Sequence, residues 1–150
     1  MVKQLSVFLP NEPGTIADFT ALLVQNSINI RAITIADTSD FGILRIIVDD
    51  PEKCGQILKK TKYLFSEIEV IAFEVEDKPG GLHKIAKLMG DNGISIEYLY
   101  SMLKADKAVV LIRVDNYYHD NAIELLKSIS VRILEDNEVY NIEFIFFIFF

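Results

Sequence analysis

A chain of 150 residues is long enough for one ordinary domain or for two compact ones. An apolar share of 51% with 25% charged residues is the balance of a folded chain rather than a disordered one. A net charge of −7 disfavours a phosphate backbone as partner, and the single cysteine, Cys54, excludes an internal disulfide framework.

The opening MVKQLSVFLP lacks the basic, apolar and small-residue succession of a secretory signal, and no apolar run reaches the ~20 residues of a membrane span. A cytoplasmic protein without membrane attachment is therefore expected. Leu5, Val7 and Leu9 alternate as one buried face of a strand. A turn, Asn11-Glu12-Pro13-Gly14, leads to Ile16, Phe19 and Leu23, whose spacing is that of one helix face. Asn26-Ser27 ends that helix, and Ile28-Asn29-Ile30 opens a second strand. Ile43 to Val48 is apolar enough for a central strand, Glu52 to Lys60 predicts a second helix, and Leu64 to Ile68 a short fourth strand.

The same succession then repeats. An offset of 66 residues aligns Pro13-Gly14 with Pro79-Gly80, Ile28 and Ile30 with Ile94 and Ile96, and Val48-Asp49 with Val114-Asp115, without a gap. The second set of elements is a strand on Ile71, Phe73 and Val75, the turn Asp77-Lys78-Pro79-Gly80, and a helix on Leu82, Ile85 and Met89 that ends at Gly93. Strands at Ile94-Ser95-Ile96 and Val109 to Val114, a helix over Asn121 to Lys127 and a short strand near Val131 to Leu134 complete it. The order in each half is βαββαβ, which right-handed crossovers turn into an antiparallel sheet with both helices on one face. The expected fold is α+β, two ferredoxin-like units in tandem with their antiparallel sheets joined side by side. The expected boundaries are 1–68, 69–142 and an apolar tail at 143–150. No Gly, Pro or Ser separates Ile68 from Ile71, so the last strand of one unit runs almost directly into the first of the next. Eight strands in one continuous sheet are expected, the exposed edge of each second strand covered by its counterpart.

The repeated turn is the first candidate for chemistry. Asn or Asp can cap a helix, Pro suits the first turn, and Gly lets another group approach the backbone. A helix start with free N–H groups attracts a carboxylate. Capping alone would also explain the turn, and its recurrence at one joint of two diverged units sets a binding role level with that reading. The N–H groups of Gly14, Thr15, Gly80 and Gly81 are the expected carboxylate donors, and Asn11 or Asp77 the acceptor for an ammonium group. Asp77 is charged, and Gly80-Gly81 leaves more room than Gly14-Thr15, so the second site is favoured.

With its D/N-x-P-G turn and a helix leading into N-I-N-I or G-I-S-I, the chain resembles the ACT domain family, regulatory modules that bind amino acids. The resemblance runs from about Lys3 to Ile142 and is sharpest at Asn11 to Gly14, Asp77 to Gly80 and Asn92 to Tyr98. It implies an effector held between two ACT units, by the turn of one and the second strand of its neighbour. The implied residues are Asn11, Glu12, Pro13, Gly14, Thr15 and Ile16 with Ser95 and Ile96, and Asp77, Lys78, Pro79, Gly80, Gly81 and Leu82 with Asn29 and Ile30. The implied partners are a free amino acid, a second copy in a homodimer and a separate regulated protein.

No catalytic role, cofactor or metal is expected, because His83, His119 and Cys54 fall in no zinc, phosphate-loop or nucleophile-elbow pattern. Cys54 reads as a small packing residue and His83 as a partly exposed helix residue; Tyr98 and Tyr100 share a strand face, in a pocket or in packing. RNA-binding domains use the same element order, but the third strands here are aliphatic where such a domain carries basic and aromatic residues. A ligand-free assembly module is the remaining alternative.

Overall fold

The computed structural model describes residues 1–38, 40–104 and 107–142. Strand β1 (Val2–Pro10) leads to helix α1 (Thr15–Gln25), strands β2 (Ile30–Asp37) and β3 (Phe41–Val48), and helix α2 (Pro51–Lys59). Strand β4 (Leu64–Glu76), helix α3 (Gly81–Asp91) and strands β5 (Ile96–Lys104) and β6 (Lys107–Val114) follow. A 3-10 turn at Asn116–Tyr118, helix α4 (His119–Ser128) and the short helix α5 (Asp136–Tyr140) complete the described chain.

The chain divides into two compact units, Lys3–Glu69 and Val70 onward, the latter with Met1–Val2. In the first, the strand order is β2-β3-β1-β4, with β1 and β2 both antiparallel to β3. Leu5, Val7 and Leu9 of β1 and Leu44, Ile46 and Val48 of β3 form one buried face with Phe19, Leu23, Cys54 and Leu58 from the two helices. The alternation read from the sequence is this face. In the second unit the order is β4-β6-β5, again antiparallel, and Ile71, Phe73, Val110, Ile112 and Val114 pack on Ile85, Met89, Ala122 and Leu126.

The repeat extends to register. Leu5 faces Ile46 as Ile71 faces Ile112, and a bulge at Ile30/Ala32 returns at Ile96/Tyr98, each pair 66 residues apart. A bulge pins register because it consumes one extra residue on one strand only.

Eight strands were expected, and six occur among the described residues. The fourth strand of the first half and the first of the second are one strand, β4, of 13 residues. No residue between Leu64 and Glu76 breaks extended backbone, so a single strand runs through the unit boundary at 69/70. The strand expected near Val131 to Leu134 is reduced to one bridge, Phe73 to Ile133, with bonds from Glu74 N to Arg132 O at 3.0 Å and from Leu134 N to Ala72 O at 2.9 Å. Glu135 then caps α5 in a reciprocal box with Glu138 and ends the extended run. The tail call at 143–150 lies outside the described residues. No helix among the described residues is long and apolar enough to cross a membrane.

Candidate functional site

Both Pro-Gly turns share one geometry, and it differs from the expected cap. Gly14 has φ 87° and ψ −10°, Gly80 φ 88° and ψ −9°, and each is itself the residue that precedes the helix, with no side-chain cap. Thr15 N donates to Glu12 O at 3.4 Å and Gly81 N to Lys78 O at 3.1 Å. These are type II turns, with Pro at the second position and Gly at the third, where φ must be positive. Asn11 and Asp77 lie too far back to cap, and the prolines precede the helices instead of starting them. Asn11 donates its amide to Asp37 Oδ1 at 3.2 Å. A Cβ at Gly14 or Gly80 would meet nothing within 4 Å, so backbone conformation, not close approach of another group, is what requires these glycines. Gly81 is constrained differently: a Cβ there would stand 2.5 Å from the Glu76 carbonyl oxygen. The room expected beside Gly81 is already occupied by its own chain.

The second turn forms one wall of a cavity of about 450 Å³, within the range of small-molecule sites. Lys78, Pro79, Gly80 and Gly81 line it; Asp77 and Leu82 do not. The opposite wall is Ile129 to Arg132, which the terminal bridge sets beside β4. Glu74, Glu76, Lys84 and Lys107 complete its polar lining. The first-turn N–H groups of Leu82 and His83 have no intrahelical carbonyl to donate to, so the positive end of α3 points outward here.

The electrostatics centre on Glu74. Its side chain is 8% exposed, and Arg132 Nη1, Lys107 Nζ and Lys104 Nζ approach it at 2.6, 3.5 and 3.6 Å. Burial alone would raise its pKa, but the Arg132 guanidinium, its hydrogen bond and the two lysines outweigh that and hold the carboxyl below its ordinary value. Glu76 is exposed, and its bond to Lys78 lowers it likewise. Arg132 also pairs with Glu138.

The other expected residues stand on their own units. Glu12, Pro13, Gly14 and Ile16 are exposed, and Thr15 donates its hydroxyl to Glu12 O at 3.0 Å. Asn29 is tied to Asp49, its N–H to Oδ1 and its carbonyl accepting from Asp49 N, both at 3.0 Å. Ile30 and Ile96 open β2 and β5 and pack on their cores; Ser95 is exposed. His83 is exposed, whereas His119 is buried with no hydrogen-bond partner for Nε2. No group of three or more His, Cys, Asp or Glu suited to a metal occurs among the described residues.

Glu74, Lys84, Lys107, Ser130 and Arg132 were missed as site residues. Their signal lies in topology: in a βαββαβ unit the last strand returns beside the first, and Lys107 faces Glu76 across the β4–β6 ladder.

The family model described as an ACT domain pair matches residues 1–142. A Bacteroides thetaiotaomicron protein of known crystal structure is 37% identical with a TM-score of 0.87, over 94% of this chain and 96% of that one. The regulatory subunit of aspartate kinase from Thermus thermophilus, in its ligand-free form, shares the fold at 14% identity and TM-score 0.63, over 84% and 91% of the two chains. The acetolactate synthase small subunit of Buchnera aphidicola is 33% identical over 76 residues, 49% of this chain; the match spans about half, 48%, of that relative.

Proposed function

The chain belongs to the ACT domain pair family, and from that premise we propose that it is a regulatory protein whose second unit binds a free amino acid at the Pro79-Gly80 turn. The cavity bounded by this turn carries the reading. Its walls offer what a zwitterion needs, cations for the carboxylate and carboxylate oxygens for the ammonium group, and the start of α3 borders it at Gly80 and Gly81. Glu76 takes the acceptor role first given to Asp77, because Glu76 lines the cavity. The second strand of another ACT unit would close the site, and the first turn, Asn11 to Ile16, would form a weaker counterpart. Regulation then passes to a separate protein, in keeping with relatives named as a regulatory subunit and a small subunit.

Self-association fits the same reading. Among the described residues β2 pairs only with β3 and β5 only with β6, and both carry exposed apolar side chains: Ile33, Ile35, Leu99 and Leu103. Open apolar strands of this kind are ordinarily covered by a partner. Sedimentation equilibrium should therefore show a dimer, and a monomer at micromolar concentration would remove this part of the proposal.

The test of binding is a thermal-shift panel of the free L-amino acids on the full chain. A true ligand at about a hundredfold excess over its Kd should raise Tm by about 5 °C or more. A panel with no response would favour the ligand-free assembly module.

A further inference from the structure

The two units align position by position, yet what they place around their turns has opposite charge. In the second unit, Lys78, Lys84, Lys107 and Arg132 face the cavity against Glu74 and Glu76, an excess of two positive charges on a chain of net −7. At the corresponding positions 66 residues earlier the first unit has Glu12 for Lys78, Asp18 for Lys84 and Phe41 for Lys107. Phe8 stands for Glu74, and the Glu74–Lys107 ion pair is replaced by ring contact between Phe8 and Phe41, centroids 5.8 Å apart.

Helix capping does not require this cluster, because the first unit builds the same turn and helix start with acidic and aromatic residues. Stability does not explain it fully either. Glu74 is one carboxylate shared by three cations, of which Arg132 also pairs with Glu138, and Lys84 forms no salt bridge among the described residues, although its charge is felt at Glu76. Uncompensated cations around a concave site attract an anion.

We infer that the ligand of the second unit carries a second negative group: it is an acidic amino acid, its α-carboxylate at the start of α3 and its side-chain carboxylate between Lys107 and Arg132. This rests on the amino-acid reading above and narrows it to one class. The first unit, anionic and aromatic at the same positions, should hold such a ligand far more weakly.

The test is isothermal titration of the full chain with glutamate and aspartate, their neutral amides glutamine and asparagine, and succinate as a dicarboxylate without an amino group. The acids should bind at least about tenfold more tightly than the amides, since a desolvated charge pair lost on amidation is worth about that factor or more. Lys84→Gln and Lys107→Gln should each weaken the acids severalfold more than they weaken the amides; their melting curves must match the parent's. Succinate binding as tightly as glutamate would uphold the anion site and contradict the amino-acid reading. Neutral amino acids that bind as tightly as the acids, with no effect of either lysine variant, would overturn this inference alone.

Discussion

At the scale of single residues, the same type can serve unrelated ends, and the surroundings decide. Cys54 is fully buried in the first unit's core, where burial first, and then Asp49 and Asp50, push its thiol up to about 11. A thiol so raised is protonated at neutral pH and does not act as a nucleophile. A disulfide exchange reagent should therefore leave the native protein unmodified and react fully in denaturant; rapid native reaction would contradict the packing. Gly80 needs its positive φ, and Gly80→Val should cost about 1–2 kcal/mol from the left-handed backbone, visible as a lower denaturation midpoint. Loss of binding in that variant would thus not locate a ligand, and the cavity lysines are cleaner probes. Glu74 is held below its ordinary 4.5 in the folded state, so the unfolded chain binds protons first as pH falls. Its contribution is present above the ordinary value and disappears as pH drops through the lowered one. Glu74→Gln should accordingly lower Tm at pH 7 and lose that deficit once the pH has fallen below the lowered value; an equal deficit throughout would show that the carboxylate's charge is irrelevant.

At the scale of elements, most of the fold was legible. Strands and helices announced themselves by alternation and by i, i+3, i+7 spacing, because one buried face per element imposes those periods. What was not legible were matters settled by competition between neighbours: whether 64–76 is one strand or two, and whether 131–134 pairs fully or by one bridge. The turn was found for the right residues with the wrong geometry. Pro-Gly fits both a helix start and a type II turn, and only the dihedral angles at Gly14 and Gly80 separate them. One glycine has no such task. Gly90 sits exposed near the end of α3, without positive φ and with nothing within 4 Å of an added Cβ. Gly90→Ala should stabilise the protein by about 0.5–1 kcal/mol in denaturant unfolding, from helix propensity and a less free unfolded chain.

At the scale of the whole molecule, duplication followed by divergence accounts for the pattern. Register, bulges and turn geometry are held in common by the two units, whereas the charges around the turns are not. The candidate site was half legible for that reason. The repeat exposed Lys78 to Gly81, which lie close in sequence; Lys107, Ser130 and Arg132 come from elements that only the sheet topology returns to the turn. The central claim is that an amino acid binds at this turn, and amide chemical-shift mapping of the labelled protein during titration with glutamate tests it most directly. The account predicts the largest shifts at Gly80, Gly81, Leu82, His83 and Ser130, with little change at Gly14 and Thr15. Saturable shifts confined to other residues, or no shifts at millimolar ligand, would contradict it.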